Sequence, residues 1–325
     1  KSELSQHLNI PADNVLFVEH HMSHAASAFF CSPFEKSAVL TIDGVGEWTT
    51  AAIGQATSNW SGEGVNQIQL THDIRFPHSL GLLYSAFTAF LGFEVNEGEY
   101  KVMGMAPYGK PRYTDKIYQV VNVADDGSFQ LDMDYFSYPH SLNRTFSNKF
   151  LELFGKPRDP NSEFITEDTH DDVTAYKSEV KLNRYYADIA ASIQQVTEEI
   201  VLKIANHLHK QTGLENLCMA GGVALNSVAN GRILRETPFK EVFIHPAPGD
   251  SGGAVGAAQY VWHVVLQNKR EFVMEHAYLG KGYSDNDIQG FLEEQGIPYE
   301  TFADDQKLVD GLAEDLVAGR VIGWF

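Results

Sequence analysis

The feature that most restricts this chain is a strand, a glycine turn and a helix, met twice in succession. Asn216-Leu217-Cys218-Met219-Ala220 reads as an apolar strand, Gly221-Gly222 as a turn, and the stretch from about Val223 to Arg235 as a helix. Glu241-Val242-Phe243-Ile244-His245 reads as a second strand, and Pro246 to Gly253 turns into another helix through Ala254-Val255-Gly256-Ala257-Ala258. Two such units imply parallel pairing, an α/β class, and ligands at the carboxyl ends of the strands. Each turn also offers free N–H groups and the positive end of a helix to an anion. Tight packing of helix on strand would explain the same glycines.

The rest of the chain fits around that core. Residues 14–18 predict a short strand, and His21 to Phe30 a helix ended by Ser32-Pro33. Residues 38–43 and 49–54 predict a hairpin about Gly44-Val45-Gly46-Glu47, and residues 67–74 a third strand. Ser79 to Leu91 reads as an apolar helix. Residues 112–182 are charged and weakly periodic, and we read them as an insertion or lid. Ile189, Ile193, Val196, Ile200, Ile204 and Leu208 then mark a long amphipathic helix ended at Gly213. Glu198 and Glu199 on it are expected on a solvated face.

A composition shift near residue 275 marks a boundary. Residues 275–325 hold eleven carboxylates against three basic side chains. We therefore divide the chain into 1–274 and 275–325. The last stretch, Val321-Ile322-Gly323-Trp324-Phe325, reads as a buried strand that stops without a turn, so the chain is expected to be a piece of a longer protein.

Charge narrows the partners. The formal net charge is -19 and no basic run is present, which disfavours nucleic acid. No run reaches the ~18 apolar residues of a membrane span, and Lys1-Ser2-Glu3-Leu4 carries no signal-peptide core. Cys31 and Cys218, the only cysteines, make no disulfide framework and are expected as small packing residues; a cytoplasmic location fits.

Chemistry enters with His20 and His24, four apart in Glu19-His20-His21-Met22-Ser23-His24. At that spacing two imidazoles share one helix face and can share a cation, while His21 points elsewhere. Asp43 and Asp250 each sit in a glycine-bounded turn after an apolar strand. Two imidazoles with two carboxylates suit Fe(II), Mn(II) or Zn(II). A histidine pair alone would more simply be structural. Gly98-Glu99-Tyr100-Lys101-Val102-Met103-Gly104 adds an acid, a phenol and a lysine, and Lys101 could offset phosphate charge.

Together these pieces resemble the NodU/CmcH-type O-carbamoyltransferases. The resemblance rests on Glu19-His20-His21-Met22-Ser23-His24-Ala25-Ala26, Thr41-Ile42-Asp43-Gly44-Val45-Gly46-Glu47, Ser79-Leu80-Gly81-Leu82-Leu83-Tyr84, Lys101-Val102-Met103-Gly104-Met105-Ala106-Pro107-Tyr108-Gly109, Gly221-Gly222-Val223-Ala224-Leu225-Asn226 and Gly249-Asp250-Ser251-Gly252-Gly253-Ala254. It spans nearly the whole chain.

The resemblance implies an actin/hexokinase/Hsp70-type ATPase domain with two ribonuclease-H-like lobes, followed by the start of a second, YrdC-like α/β domain. It makes His20, His24, Asp43 and Asp250 the ligands of an iron-type metal. It places a nucleotide at Gly44, Gly46, Gly221, Gly222, Asn226, Gly249, Ser251, Gly252 and Gly253. Carbamoyl phosphate and ATP would give carbamoyladenylate, whose carbamoyl group passes to the hydroxyl of a small acceptor, an antibiotic sugar, a nodulation oligosaccharide or another metabolite. Lys101 is the candidate for phosphate or carbamoyl contact. The resemblance also implies an N-terminal histidine segment and a C-terminal segment outside this sequence. A threonylcarbamoyl transferase acting on tRNA is the alternative enzyme, and a nucleotide-binding regulator without catalysis is the alternative of another class.

Overall fold

A computed structural model describes residues 1–60, 62, 64–141 and 143–324. The chain divides into two units, Lys1–Glu275 and His276–Phe325. The first begins with α1 (Ser2–Leu8) and α2 (His20–Phe29). Residues 14–18, expected as a strand, do not form one: Asn14 closes a 3₁₀ turn, residues 15–18 pair with no strand among the described residues, and Phe17 is exposed. Without a neighbouring strand to take its N–H and C=O groups, an apolar run does not become a strand.

The hairpin follows as expected. Strands β1 (Lys36–Ile42), β2 (Thr49–Thr57) and β3 (Gln67–Arg75) pair antiparallel in sequence order. Next come α3 (Leu80–Phe90), capped by the Ser79 hydroxyl, and α4 (Glu99–Met105). The segment that follows contains α5 (Thr114–Ile117), the small hairpin β4 (Val121–Val123) and β5 (Phe129–Leu131), and α6 (Asn148–Phe154).

Residues 112–182 do not hang over the domain as a lid. Ile117, Val121, Phe129, Leu131, Phe150 and Phe154 lie in the main core, and Phe150 and Phe154 each pack edge-on against Phe87 with ring centroids 5.1 Å apart. The apolar residues of this segment follow no helical or strand period, because they reach the core from short elements and coil.

The long helix α7 runs over Lys177–Thr212, 36 residues, and ends where Gly213 takes the left-handed conformation. Strand β6 (Asn216–Ala220) leads through a short 3₁₀ turn to α8 (Ser227–Glu236). Strand β7 (Glu241–Ile244) leads to α9 (Asp250–Gln259), which continues as a π-helical turn over Tyr260–Val265.

The main sheet has five strands in the order β3-β2-β1-β6-β7. Its β1, β6 and β7 run parallel and its β1, β2 and β3 antiparallel, so the α/β sheet is mixed. Successive residues of a strand face opposite sides. Ala38, Leu40 and Ile42 therefore join the core under α3 and α7, while Val39 joins Phe29, Phe30 and Cys218 under α2. Three layers result, with the carboxyl ends of β1 and β6 opening at one edge.

Helix α2 comes close to α9. A Cβ on Gly256 would lie 1.8 Å from the Ser23 carbonyl oxygen, so only glycine allows this approach. Beyond α9, Arg270 is fully buried. Its guanidinium donates to the Phe34 and Ser32 carbonyls and sits 4.4 Å from the Trp60 ring centroid. The clamp ties the exit of α9 to the exit of α2 with no carboxylate partner among the described residues. Both cysteines are buried and unbonded beside it, and burial raises each thiol to about 11.

The second unit holds α10 (Asp285–Glu294), opened by a capping box between Ser284 and Asp287, and α11 (Asp305–Val317). The expected terminal strand is not formed. Residues 321–324 are irregular, and Val321 is 99% exposed. Phe325 lies outside the described residues. No helix among the described residues is long and apolar enough to cross a membrane.

Gly256→Ala should force α2 and α9 apart and destabilise the first unit by about 1–3 kcal/mol. Thermal and urea unfolding would read this directly. An unchanged midpoint would show that the helices can slide without cost.

Candidate metal centre

His20 and His24 converge because α2 starts at His20 and turns once between them. Asp43 follows the last residue of β1, and Asp250 opens α9, where the positive end of the helix favours a carboxylate. His20 Nε2 lies 3.0 Å from Asp43 Oδ2 and 3.0 Å from His24 Nε2, and His24 Nε2 lies 3.1 Å from the same Asp43 oxygen. Asp250 Oδ1 is 3.4 Å from His20 Nε2 and 3.7 Å from His24 Nε2. One ligand atom from each of the four lies within 4.8 Å of the rest.

These spacings fit a cation. Ligand atoms ~2.1 Å from one metal stand roughly 3.0–3.4 Å from each other. The site is layered from buried His24 and Asp43 to exposed Asp250, which leaves one side open. Two imidazole nitrogens facing each other at 3.0 Å gain little without something between them. His24 Nδ1 is buried with no hydrogen-bond partner among the described residues. The residues therefore suit a divalent ion of mixed nitrogen and oxygen preference.

Asp43 also reaches the glycine turn. Its Oδ1 accepts the Gly222 N–H at 2.9 Å, while Oδ2 faces the imidazoles. Burial opposes its charge, but hydrogen bonds from His20, His24 and the Gly222 N–H outweigh that and hold the carboxyl well below its usual range. The Asp43 hydrogen bond raises His20 against partial desolvation. His21 points away, between the Thr41 hydroxyl and the Thr49 carbonyl, each at 2.8 Å, and burial lowers it to about 4, so it is neutral.

The glycines divide into those the protein's own packing requires and those facing open space. Gly221 has φ +95° and would place a Cβ 2.2 Å from the Ile42 carbonyl oxygen. Its N–H donates to Pro248 O at 2.7 Å, which joins the two glycine turns. Gly46 abuts the His20 ring, and Gly44 accepts from Ser79 Oγ at 2.5 Å. Gly252, which the resemblance places at the nucleotide, is needed first for the Ala247 carbonyl, 2.1 Å from its Cβ position. Gly249 and Gly253 meet no atom within 4 Å, and Ser251 is exposed beside them.

Asn226 caps α8 by accepting the Ala229 N–H at 3.1 Å. Its amide also exchanges two hydrogen bonds with Gln194 on α7, at 2.9 and 3.0 Å. Tyr84 donates to Gln194 at 2.8 Å, and Gln194 donates to Glu198 at 2.7 Å. Glu198 is thus buried and paired with Arg232 at 2.8 Å, not solvated as its sequence context predicts, and Glu199 accepts from Tyr118 and Gln195. Their only sequence signal was Gln194 and Glu198 four apart beside an apolar stripe. Lys101 is exposed on α4 and forms no hydrogen bond to the four convergent residues.

Asp43→Asn keeps the side chain's shape and removes its charge. Mn(II) titrated into the purified chain under anaerobic conditions should bind at least tenfold more weakly in that variant. Equal affinity would remove Asp43 from the site.

Comparison with known proteins gives the family. Residues 2–259 match the family model described as carbamoyltransferase N-terminus. An uncharacterised protein of Synechocystis sp. is 49% identical over 318 residues, covering 96% of this chain and 48% of its own. Nodulation protein NolNO of Sinorhizobium fredii is 31% identical over 321 residues, covering 97% of this chain and 41% of its own. The chain thus spans about half the length of the curated relatives it matches. A crystal structure of T. kodakarensis HypF overlaps 82% of this chain and 39% of its own with a TM-score of 0.40 and 16% identity, too loosely to bear on ligand or reaction. With a family model matched over most of its length, the chain belongs to the carbamoyltransferases of NodU/CmcH type and carries their N-terminal domain.

Proposed function

We infer that the chain is the metal- and nucleotide-bearing part of an O-carbamoyltransferase that draws its carbamoyl group from carbamoyl phosphate, by way of carbamoyladenylate made with ATP. The acceptor is the hydroxyl of a small sugar or natural product. The observation that carries this reading is Asp43, whose two oxygens face the imidazole pair and the glycine turn. A phosphoryl group lying on that turn would be within reach of the same carboxylate's partners.

His20, His24, Asp43 and Asp250 would hold the cation, Fe(II) in the first place, with Mn(II) or Zn(II) as alternatives. When bound, such an ion supplies positive charge to phosphate oxygens as the leaving group departs. The chain's own residues do the positioning. The Gly222 N–H keeps Asp43 turned toward the imidazoles, and the Gln194–Asn226 pair holds the end of the turn against α7. Gly249 and Gly253 leave the other turn open for a ligand to approach the backbone. Nucleotide fixed across both turns presents the carbamoyl carbon in one orientation, and orientation accounts for much of the acceleration. The acceptor oxygen bonds to that carbon, the bond to AMP breaks, and the hydroxyl proton leaves to a base or to water. Lys101 is retained for phosphate or carbamoyl contact.

The same reading takes the main sheet as part of an actin/hexokinase/Hsp70-type ATPase domain and the second unit as the beginning of a YrdC-like domain. It places the enzyme in the cytoplasm.

Two measurements test it. Full-length protein supplied with ATP, labelled carbamoyl phosphate and a panel of acceptor alcohols should release AMP and label an acceptor, whereas the 325-residue chain should not. Label appearing on tRNA would favour the threonylcarbamoyl alternative, and binding without turnover the regulator. Second, Gly253→Val introduces a side chain into space that no protein atom fills. It should weaken ATP binding at least tenfold in calorimetry without shifting the unfolding midpoint; unchanged affinity would make the turns packing devices only.

A further inference from the structure

A second, chemically different cleft lies at the start of α7 and shares no residue with the metal centre. It has a volume of about 450 Å³. One wall is the amino end of α7, where Lys177, Lys181 and Arg184 recur every three or four residues and so share a face. The other wall is the segment after α4, which contributes Lys110 and Arg112. Five cationic side chains thus meet two carboxylates, Glu167 and Asp188, in a chain whose formal net charge is -19. The sequence shows no basic run because the two groups are more than sixty positions apart; folding assembles the patch.

The walls are held in place. Gly109 packs so closely on α7 that a Cβ would lie 2.1 Å from the Ala187 carbonyl oxygen. Buried Asp188 accepts the Lys110 N–H at 2.7 Å and lies 3.4 Å from an Arg112 nitrogen. Arg184 is bound to Glu167 at 2.8 Å. The acids therefore fix the backbone and the two arginines. Among the described residues, no carboxylate lies within ion-pair distance of the ammonium groups of Lys110, Lys177 or Lys181. Glu179, in the first turn of α7, is bonded to Ser178 instead.

This arrangement is electrostatically unfavourable on its own. Lys177 opens α7 at the positive end of the helix, where a cation is disfavoured, and Lys181 follows one turn later on the same face. Lys110 and Arg112 add like charge across the cleft. A bound polyanion would reverse all of these terms together. Three unpaired ammonium groups act as point charges that can share the several oxygens of a phosphoryl group, while an arginine fork matches carboxylate and phosphate alike. The volume is that of a small-molecule site.

We propose that the cleft formed by Lys110, Lys177, Lys181 and the two flanking arginines binds the phosphoryl group of a phosphorylated small molecule, at a site separate from the metal and glycine turns. The inference does not depend on the carbamoyl-transfer reading.

The probe is inorganic pyrophosphate, titrated by calorimetry into the purified, metal-free chain in EDTA. It should bind, and Lys110→Ala/Lys181→Ala should weaken binding at least tenfold, while Lys181→Arg stays within threefold of the unaltered chain. Both lysines are exposed, so circular dichroism and the unfolding midpoint should not move. In the Gly253→Val background, which obstructs the other turn, the pyrophosphate binding that depends on Lys110 and Lys181 should persist. The proposal fails if the unaltered chain does not bind pyrophosphate at millimolar concentration, if the double variant binds as tightly, or if only Gly253→Val loses binding. The last result would assign the phosphate to the glycine turns.

Discussion

The close approach of α2 to α9 is the constraint on which the rest depends. Gly256 lets the Ser23 carbonyl lie where any other residue would carry a side chain. That contact brings the amino end of α9, with Asp250, beside the two histidines of α2. The Arg270 clamp then ties the exits of the same two helices, through the Ser32 and Phe34 carbonyls. A guanidinium buried without a carboxylate is costly unless its N–H groups are occupied; here Nη1 and Nη2 donate to the Phe34 and Ser32 carbonyls and the Ser58 hydroxyl beside the Trp60 ring, while Nε has no partner among the described residues. The four convergent side chains lie where these helices meet β1, so errors in helix spacing become errors in their geometry.

Asp43 converts that geometry into a connected site. It leaves β1 at the sheet's open edge, with one oxygen toward the imidazoles and the other on the Gly222 N–H. The Gly221 N–H in turn meets the Pro248 carbonyl, so both glycine turns and three of the four convergent side chains belong to one hydrogen-bonded structure. Displacing either turn would rotate Asp43, and a change in the convergent residues would be felt at the turn. In a transferase, such a linkage would let nucleotide position and cation position set each other.

Charge is distributed unevenly over this acidic chain. Two carboxylates meet two histidines at the candidate metal centre, and a lysine-rich cleft lies at the foot of α7. Both are local departures from what neighbouring charges favour, and both are supported by oriented backbone groups: the Gly222 N–H on Asp43, and Asp188 on the Lys110 N–H. The relatives are about twice as long as this chain.

Local chemistry was legible in the sequence. Histidines four apart, strands ending in glycine turns, and Gly213 after a long apolar stripe each state their structure within a few residues, because helix and strand periods are local properties. The hairpin, the parallel pairing of β6 with β7 and the orientation of His21 follow from them. Tertiary structure decided the rest. Residues 14–18 lacked a neighbouring strand and formed none, and residues 321–324 formed no strand. Residues 112–182 joined the core through scattered aromatics that no periodicity reveals. Glu198 was buried by Gln194 and Arg232, Gly252 was claimed by a carbonyl five residues back, and Lys110 met Lys181 across a cleft. In each case the deciding partner lies outside the repeat of a single element, and only the packed chain fixes which partner that is.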